Sequence, residues 1–196
     1  MLHARPRTGL GGLGLFIILW LLVTARPAAA EQPYIDRVII TNTAEKLLVY
    51  FRVAGAFAQE RVRQAVLAGV PTTFTYFVEL QEIRRFRPDR DVVRLEMRRT
   101  IKLDMLSEEF TVITNNEQSG ARNTSDWDEA QYLMTDVSGL EVVTLEKVDP
   151  EKTYRLRVSA QILKPRLPIE LKVFFFWVPL GDIETDIYEI EFRRGP

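Results

Sequence analysis

The sequence predicts a mainly β domain, most simply a two-layer antiparallel β-sandwich of seven to eight strands with two short helices. Three observations predict it. From residue 38 onward apolar and polar residues mostly alternate with a period of two, the signature of strands that bury one face. Only two stretches switch to a helical period. Strands and helices do not follow the βαβ order that parallel sheets need, so the pairing is antiparallel. An α+β fold, an antiparallel sheet with both helices on one face, is the alternative.

Element by element, Val38–Ile40 and Leu47–Val53 are apolar runs separated by Thr41, Asn42, Thr43 and Ala44, which predicts a hairpin. Residues 58–68 (AQERVRQAVLA) place Ala58, Val62, Ala65 and Val66 on one helical stripe, and Gly69 with Pro71 ends it. A strand follows over Thr73–Glu82, with Phe74, Tyr76, Val78 and Leu80 on one side. In Val93–Met105 the apolar face is Val93, Leu95, Met97, Ile101, Leu103 and Met105, and Arg99 interrupts it. A bulge or bend that returns Arg99 to solvent is the expectation, because an unpaired buried charge is expensive. Leu106–Glu109 is a tight turn into Phe110–Ile113, a second hairpin.

The polar, turn-rich residues 114–124 (TNNEQSGARNT) are expected to be a loop. Ser125 is placed as the cap of a second helix, with Asp128 completing an imperfect capping box, and Gly139 as its end. Trp127, Ala130, Leu133, Met134 and Val137 form its apolar side. Tyr154–Ile162 alternates again after Pro150, Leu171–Val178 is apolar on both faces, and a last strand covers about Ile183–Phe192.

The first 30 residues have the three parts of a secretory signal: Arg5 and Arg7, the apolar run LFIILWLLV, and small residues through Ala30 that place cleavage before Glu31. The alternative is an uncleaved anchor over residues 8–25, which holds the domain on the outer face of the cytoplasmic membrane. Either way residues 31–196 are expected to be one exported or periplasmic domain. Three of the 26 basic residues and none of the 27 acidic ones lie in that segment, which leaves the remainder at −4 and argues against nucleic acid as a partner.

Cysteine is absent and the only histidine is His3. Disulfides, thiol nucleophiles, cysteine/histidine zinc sites and imidazole-dependent triads are thereby excluded from residues 31–196. No GxSxG, SxxK or phosphate-loop pattern occurs outside the N-terminal segment. Asp182, Glu184 and Asp186 on one strand face are the candidates for a weak carboxylate hydrolase or a calcium site, set against a simple solvated face. No catalytic residue, metal or cofactor is assigned.

The strongest local signal is charge. Arg84, Arg85, Arg87, Arg90, Arg94, Arg98 and Lys102 lie in an inter-strand loop and along one strand face, with Phe86 and Pro88 among them. Such a surface attracts phosphate, carboxylate or anionic headgroups. The acids of Asp182–Glu191 would cancel it if the two strands were neighbours. Phe174–Trp177 is expected to be core; if one face were open, Phe174 and Phe176, or Phe175 and Trp177, would form an interaction ridge.

The helix ending in GVP at Gly69–Pro71 followed by TFTYFVEL, then RRTIKLDMLSEEFTV, YRLRVSAQI, LPIELKVFFF and WVPLGDIETDIYEIEF, resembles an uncharacterised bacterial exported family, the DUF4390 type of domain of unknown function. The resemblance covers nearly all of residues 31–196. It implies a periplasmic or envelope protein without assigned activity and supplies no catalytic residues. The expected function is therefore a non-enzymatic envelope domain that binds a protein partner or senses an envelope component through its basic surface. A structural or lipid-contacting module using the aromatic ridge is the alternative.

Overall fold

The computed structural model describes residues 32–115, 120–162 and 183–193. The expected signal or anchor over residues 1–30, Leu171–Val178 with Phe174 and Phe176, and Asp182 lie outside the described residues. Within them the chain forms β1 (Tyr34–Asn42), β2 (Lys46–Ala54), α1 (Glu60–Leu67), β3 (Thr72–Glu82), β4 (Arg90–Asp104), β5 (Glu109–Asn115) and β6 (Gly120–Thr124). It continues through α2 (Trp127–Thr135), β7 (Asp136–Thr144), a 3-10 turn (Leu145–Lys147), β8 (Thr153–Ile162), β9 (Ile183–Glu184) and β10 (Tyr188–Arg193). All strand pairs are antiparallel, in two sheets. The smaller has the order β1-β2-β7; the larger runs β10-β8-β3-β4-β5-β6, with β9 beside the far end of β8.

Alternation fills the space between the sheets. Phe74, Tyr76, Val78 and Leu80 of β3 are fully buried, as are Leu156 and Val158 of β8 and Val49 of β2. Phe51 of β2 meets Tyr76 of β3 with ring centroids 5.9 Å apart, a direct contact between the layers. This is a mainly β sandwich with two helices.

Both helix ends obey local chemistry. After α1, Gly69 takes φ +73°, and the Gly69 and Val70 N–H groups donate to the carbonyls of Val66 and Ala65, the paired bonds of a Schellman stop. At the start of α2, Asp126 and not Ser125 is the cap, its Oδ1 accepting from the N–H groups of Asp128 (2.7 Å) and Glu129 (3.0 Å). The short carboxylate reaches two orphan donors and favours the positive end of the helix. Asp126→Ala is expected to lower stability by about 1 kcal/mol, read as a shift in the urea unfolding midpoint without a change of slope.

Three further expectations are corrected. Arg99 does not return to solvent: the β3–β4 register runs unbroken from Thr72↔Ile101 to Leu80↔Val93, so Arg99 stays on the inner face between Met97 and Ile101. Its Nη1 donates to the carbonyls of Leu133 (2.8 Å) and Asp136 (2.6 Å), at the C-terminal end of α2, and its guanidinium carbon stands 5.9 Å from the centroid of the Tyr76 ring. The expected loop over 114–124 holds the end of β5 and all of β6, a polar edge strand. Gly139, expected to stop the second helix, lies inside β7 with φ +69°; the helix ends at Thr135. The described residues thus carry ten strands where seven or eight were expected, because β6 and β7 were not read as strands and the last strand breaks at Thr185–Ile187 into β9 and β10.

Candidate docking surface

The face of the large sheet turned away from the small one carries the charged residues of β4, β3, β8 and β10. Register places Glu189, Arg157, Glu79 and Arg94 directly opposite one another across β10, β8, β3 and β4. Arg157 Nε lies 2.8 Å from Glu189 and its Nη1 3.4 Å from Glu79, while Arg94 Nε lies 2.7 Å from the same Glu79. One row of the sheet is therefore an alternating acid–base ladder. Along the next row Arg155 pairs with Glu191 at 2.8 Å and with Asp89 at 2.9 Å.

The acidic C-terminal strand and the basic strand are not neighbours. β8 and β3 stand between them and transmit the compensation through Arg157 and Glu79. Glu184 of β9 is exposed and accepts from Gln161 Nε2 at 2.7 Å; Asp186 is exposed. Both have the character of a solvated edge, and among the described residues no group of three or more acidic side chains is placed to hold a metal ion.

At the rim of the core, Glu82 continues the buried face of β3 and is 7% exposed at its side chain. Arg90 of β4 (2.6 Å), Lys152 (3.3 Å) and Arg84 (3.4 Å) surround it. Burial works to raise its carboxyl, but the Lys152 hydrogen bond and the three cations outweigh that and hold it below the ordinary glutamate value.

Of the seven basic residues singled out in the sequence, four are thus committed: Arg84 and Arg90 to Glu82, Arg94 to Glu79 and Asp91, and Arg98 to Glu96 at 2.5 Å. Arg85, Arg87 and Lys102 are exposed and form no salt bridge among the described residues, although the Lys102 charge acts on the Asp104 carboxylate. Two of these three flank Phe86, which is 91% exposed at the tip of the β3–β4 loop.

The base of that loop is tied down. Ile83 N–H donates to the Thr153 carbonyl at 2.9 Å. The Asp89 carboxylate accepts from the Arg84 N–H (3.1 Å) and from Arg155 Nη1 (2.9 Å), closing the loop on itself and onto β8. Arg85, Phe86, Arg87 and Pro88, all exposed, project from this fixed base. The sequence sets Asp89, Asp91 and Glu96 against the arginines but does not single out Glu79 and Glu82, whose carboxylates decide which cations stay free. Their proximity to the basic run in sequence was the available signal.

A second exposed apolar tip lies at the other end of β4, where Met105 is 67% and Leu106 99% exposed. Asp104 fixes it by accepting from the Leu106 and Ser107 N–H groups, bonds that hold the Asp104 carboxyl below its ordinary value. Its exposed neighbours Asp104, Glu108 and Glu109 are acidic. Among the described residues no helix is long and apolar enough to cross a membrane.

A family model, Domain of unknown function (DUF4390), matches residues 30–191. No curated protein and no solved structure matches the chain.

Proposed function

The chain belongs to the family Domain of unknown function (DUF4390), and we propose that it is a non-enzymatic, exported domain of the cell envelope that docks an anionic partner through its β3–β4 loop. One observation carries the reading: among the described residues Arg85 and Arg87 have no carboxylate partner, on either side of a nearly fully exposed Phe86, on a loop whose base is held by Asp89 and Thr153. A loop fixed before it meets its partner loses little conformational freedom on docking. Arg84, Arg90, Arg94 and Arg98 do not compete with the loop, because their charges are spent on neighbouring carboxylates.

Export is supported by the secretory pattern of the first 30 residues, and the absence of catalysis by a chain with no cysteine and only His3. The test is site-specific. A photo-crosslinking amino acid in place of Phe86, in cells producing the full chain, is expected to give adducts that disappear in the Arg85→Glu/Arg87→Glu background and persist in Arg94→Glu. Absence of adducts, or adducts indifferent to the two loop charges, would overturn the assignment of the loop as the docking element.

A further inference from the structure

We propose that the partner of the β3–β4 loop is the surface of a bilayer containing anionic phospholipid, with Phe86 entering the interface and Arg85 and Arg87 contacting lipid phosphates. The inference rests on the reading of the loop as the docking element and names what it docks to.

Size decides against a protein surface. A specific protein interface engages about 20–30 residues on each side, whereas the exposed tip consists of Arg85, Phe86, Arg87 and Pro88. Widening the contact onto the sheet would mean covering the ladder of Glu189, Arg157, Glu79 and Arg94, whose charges already satisfy one another and would lose water without gaining new partners. A bilayer asks for less. A convex tip enters it without a complementary pocket, the aromatic ring settles at headgroup depth, and the flanking guanidinium groups extend to phosphates while their stems stay apolar. Bidentate pairing with phosphate oxygens suits arginine in particular.

Charge also separates this tip from the apolar tip at Met105 and Leu106. Leu106 is at least as exposed as Phe86, but Asp104, Glu108 and Glu109 surround it, and an anionic surface repels such a tip. Cations beside a negative membrane surface each add about fivefold to partitioning, an effect confined to about a Debye length. Arg85 and Arg87 lie next to Phe86 in sequence, so their side chains meet headgroups once the ring is inserted.

The test places a fluorophore at the tip, so that membrane association of the N-terminal segment does not register. Full-length Phe86→Trp, with the unsubstituted chain as background, is mixed with vesicles of phosphatidylcholine alone or of phosphatidylcholine with phosphatidylglycerol, each also prepared with brominated acyl chains. The expected result is a blue-shifted emission and bromine quenching with phosphatidylglycerol vesicles, about 25-fold weaker in lipid titration after Arg85→Gln/Arg87→Gln and weaker still after Arg85→Glu/Arg87→Glu, and diminished by added salt. Leu106→Trp is expected to show no quenching. Absence of quenching at position 86, or equal quenching in phosphatidylcholine alone, would overturn the proposal. If crosslinks at position 86 run to a protein while quenching is absent, the docking loop stands and its lipid partner is refuted.

Discussion

Arg99→Met is expected to lower the unfolding free energy by about 3 kcal/mol, the largest loss among single substitutions in the domain outside the apolar core. The last carbonyls of α2 have no partners within the helix, and its last turn contains no basic residue. The large sheet supplies both needs from two adjacent strands: the Tyr76 hydroxyl donates to the Met134 carbonyl, and Arg99 donates to those of Leu133 and Asp136. The guanidinium also places a positive charge at the negative end of the helix. Methionine keeps the unbranched apolar stem and removes the donors, so the measured loss isolates the polar part. For a domain of this size such a loss corresponds to about 6–12 °C in melting temperature. Arg99→Lys is expected to recover part of it, because a single ammonium retains the charge but not the fork. Tyr76→Phe combined with Arg99→Met is expected to cost less than the sum of the two, since both ties hold the same helix end. An unchanged midpoint for Arg99→Met would show that α2 is held without this contact.

Glu82→Gln is expected to cost about 2 kcal/mol at neutral pH and progressively less in acid. Removing one partner of a fully buried ion pair costs about 3–5 kcal/mol; here Arg90 and Lys152 keep about half of their side chains in water, which screens the attraction and justifies the smaller figure. The sign follows from the direction of the shift. The folded carboxyl lies below its unfolded value of about 4.3, so its stabilisation is present above that value and is lost as the pH falls through the folded one. The two proteins are therefore expected to draw together in stability as the pH falls below the unfolded value and through the lower folded one. Parallel stability curves through that range would mean that the Glu82 charge is irrelevant to folding. Because Arg84 and Arg90 flank the loop through Glu82, the substitution is also expected to loosen the base from which Phe86 projects.

Which parts of this arrangement were legible in the sequence follows from where each residue finds its partner. Phe74, Tyr76, Val78 and Leu80 are fully buried and recur at every second position, because a strand with one face on the core records its environment with a period of two. The GARNT of β6 has no buried residue on either face and leaves no such record. β7 is hidden differently: Val137 extends the helical spacing of Ala130, Leu133 and Met134, which predicts a helix running on to Gly139. The inward position of Arg99 is not legible because the groups that accept from its Nη1 are main-chain carbonyls, which no side-chain pattern reveals. At the docking surface the cations were plain in the sequence. The division into bound and free was not, because Glu79, Glu82, Arg155 and Arg157 come together only through the order β8-β3-β4.

That order also sets a timetable. β3 has one neighbour close behind it in the chain, β4, and another, β8, that arrives only after β5, β6, α2 and β7 have been made; Phe74 waits for Ile162. Closing so long a loop is entropically expensive, and sheets built on distant pairs form slowly. As the chain emerges N-terminus first from a ribosome or through a translocation channel, the β3–β4 and β4–β5 hairpins can form early. The central strand nevertheless keeps one open edge until Thr153–Ile162 follows, and during that interval exposed main-chain donors and acceptors invite pairing with another molecule. A holding chaperone at the site of emergence is therefore expected to matter more for this domain than for an all-helical one of equal length.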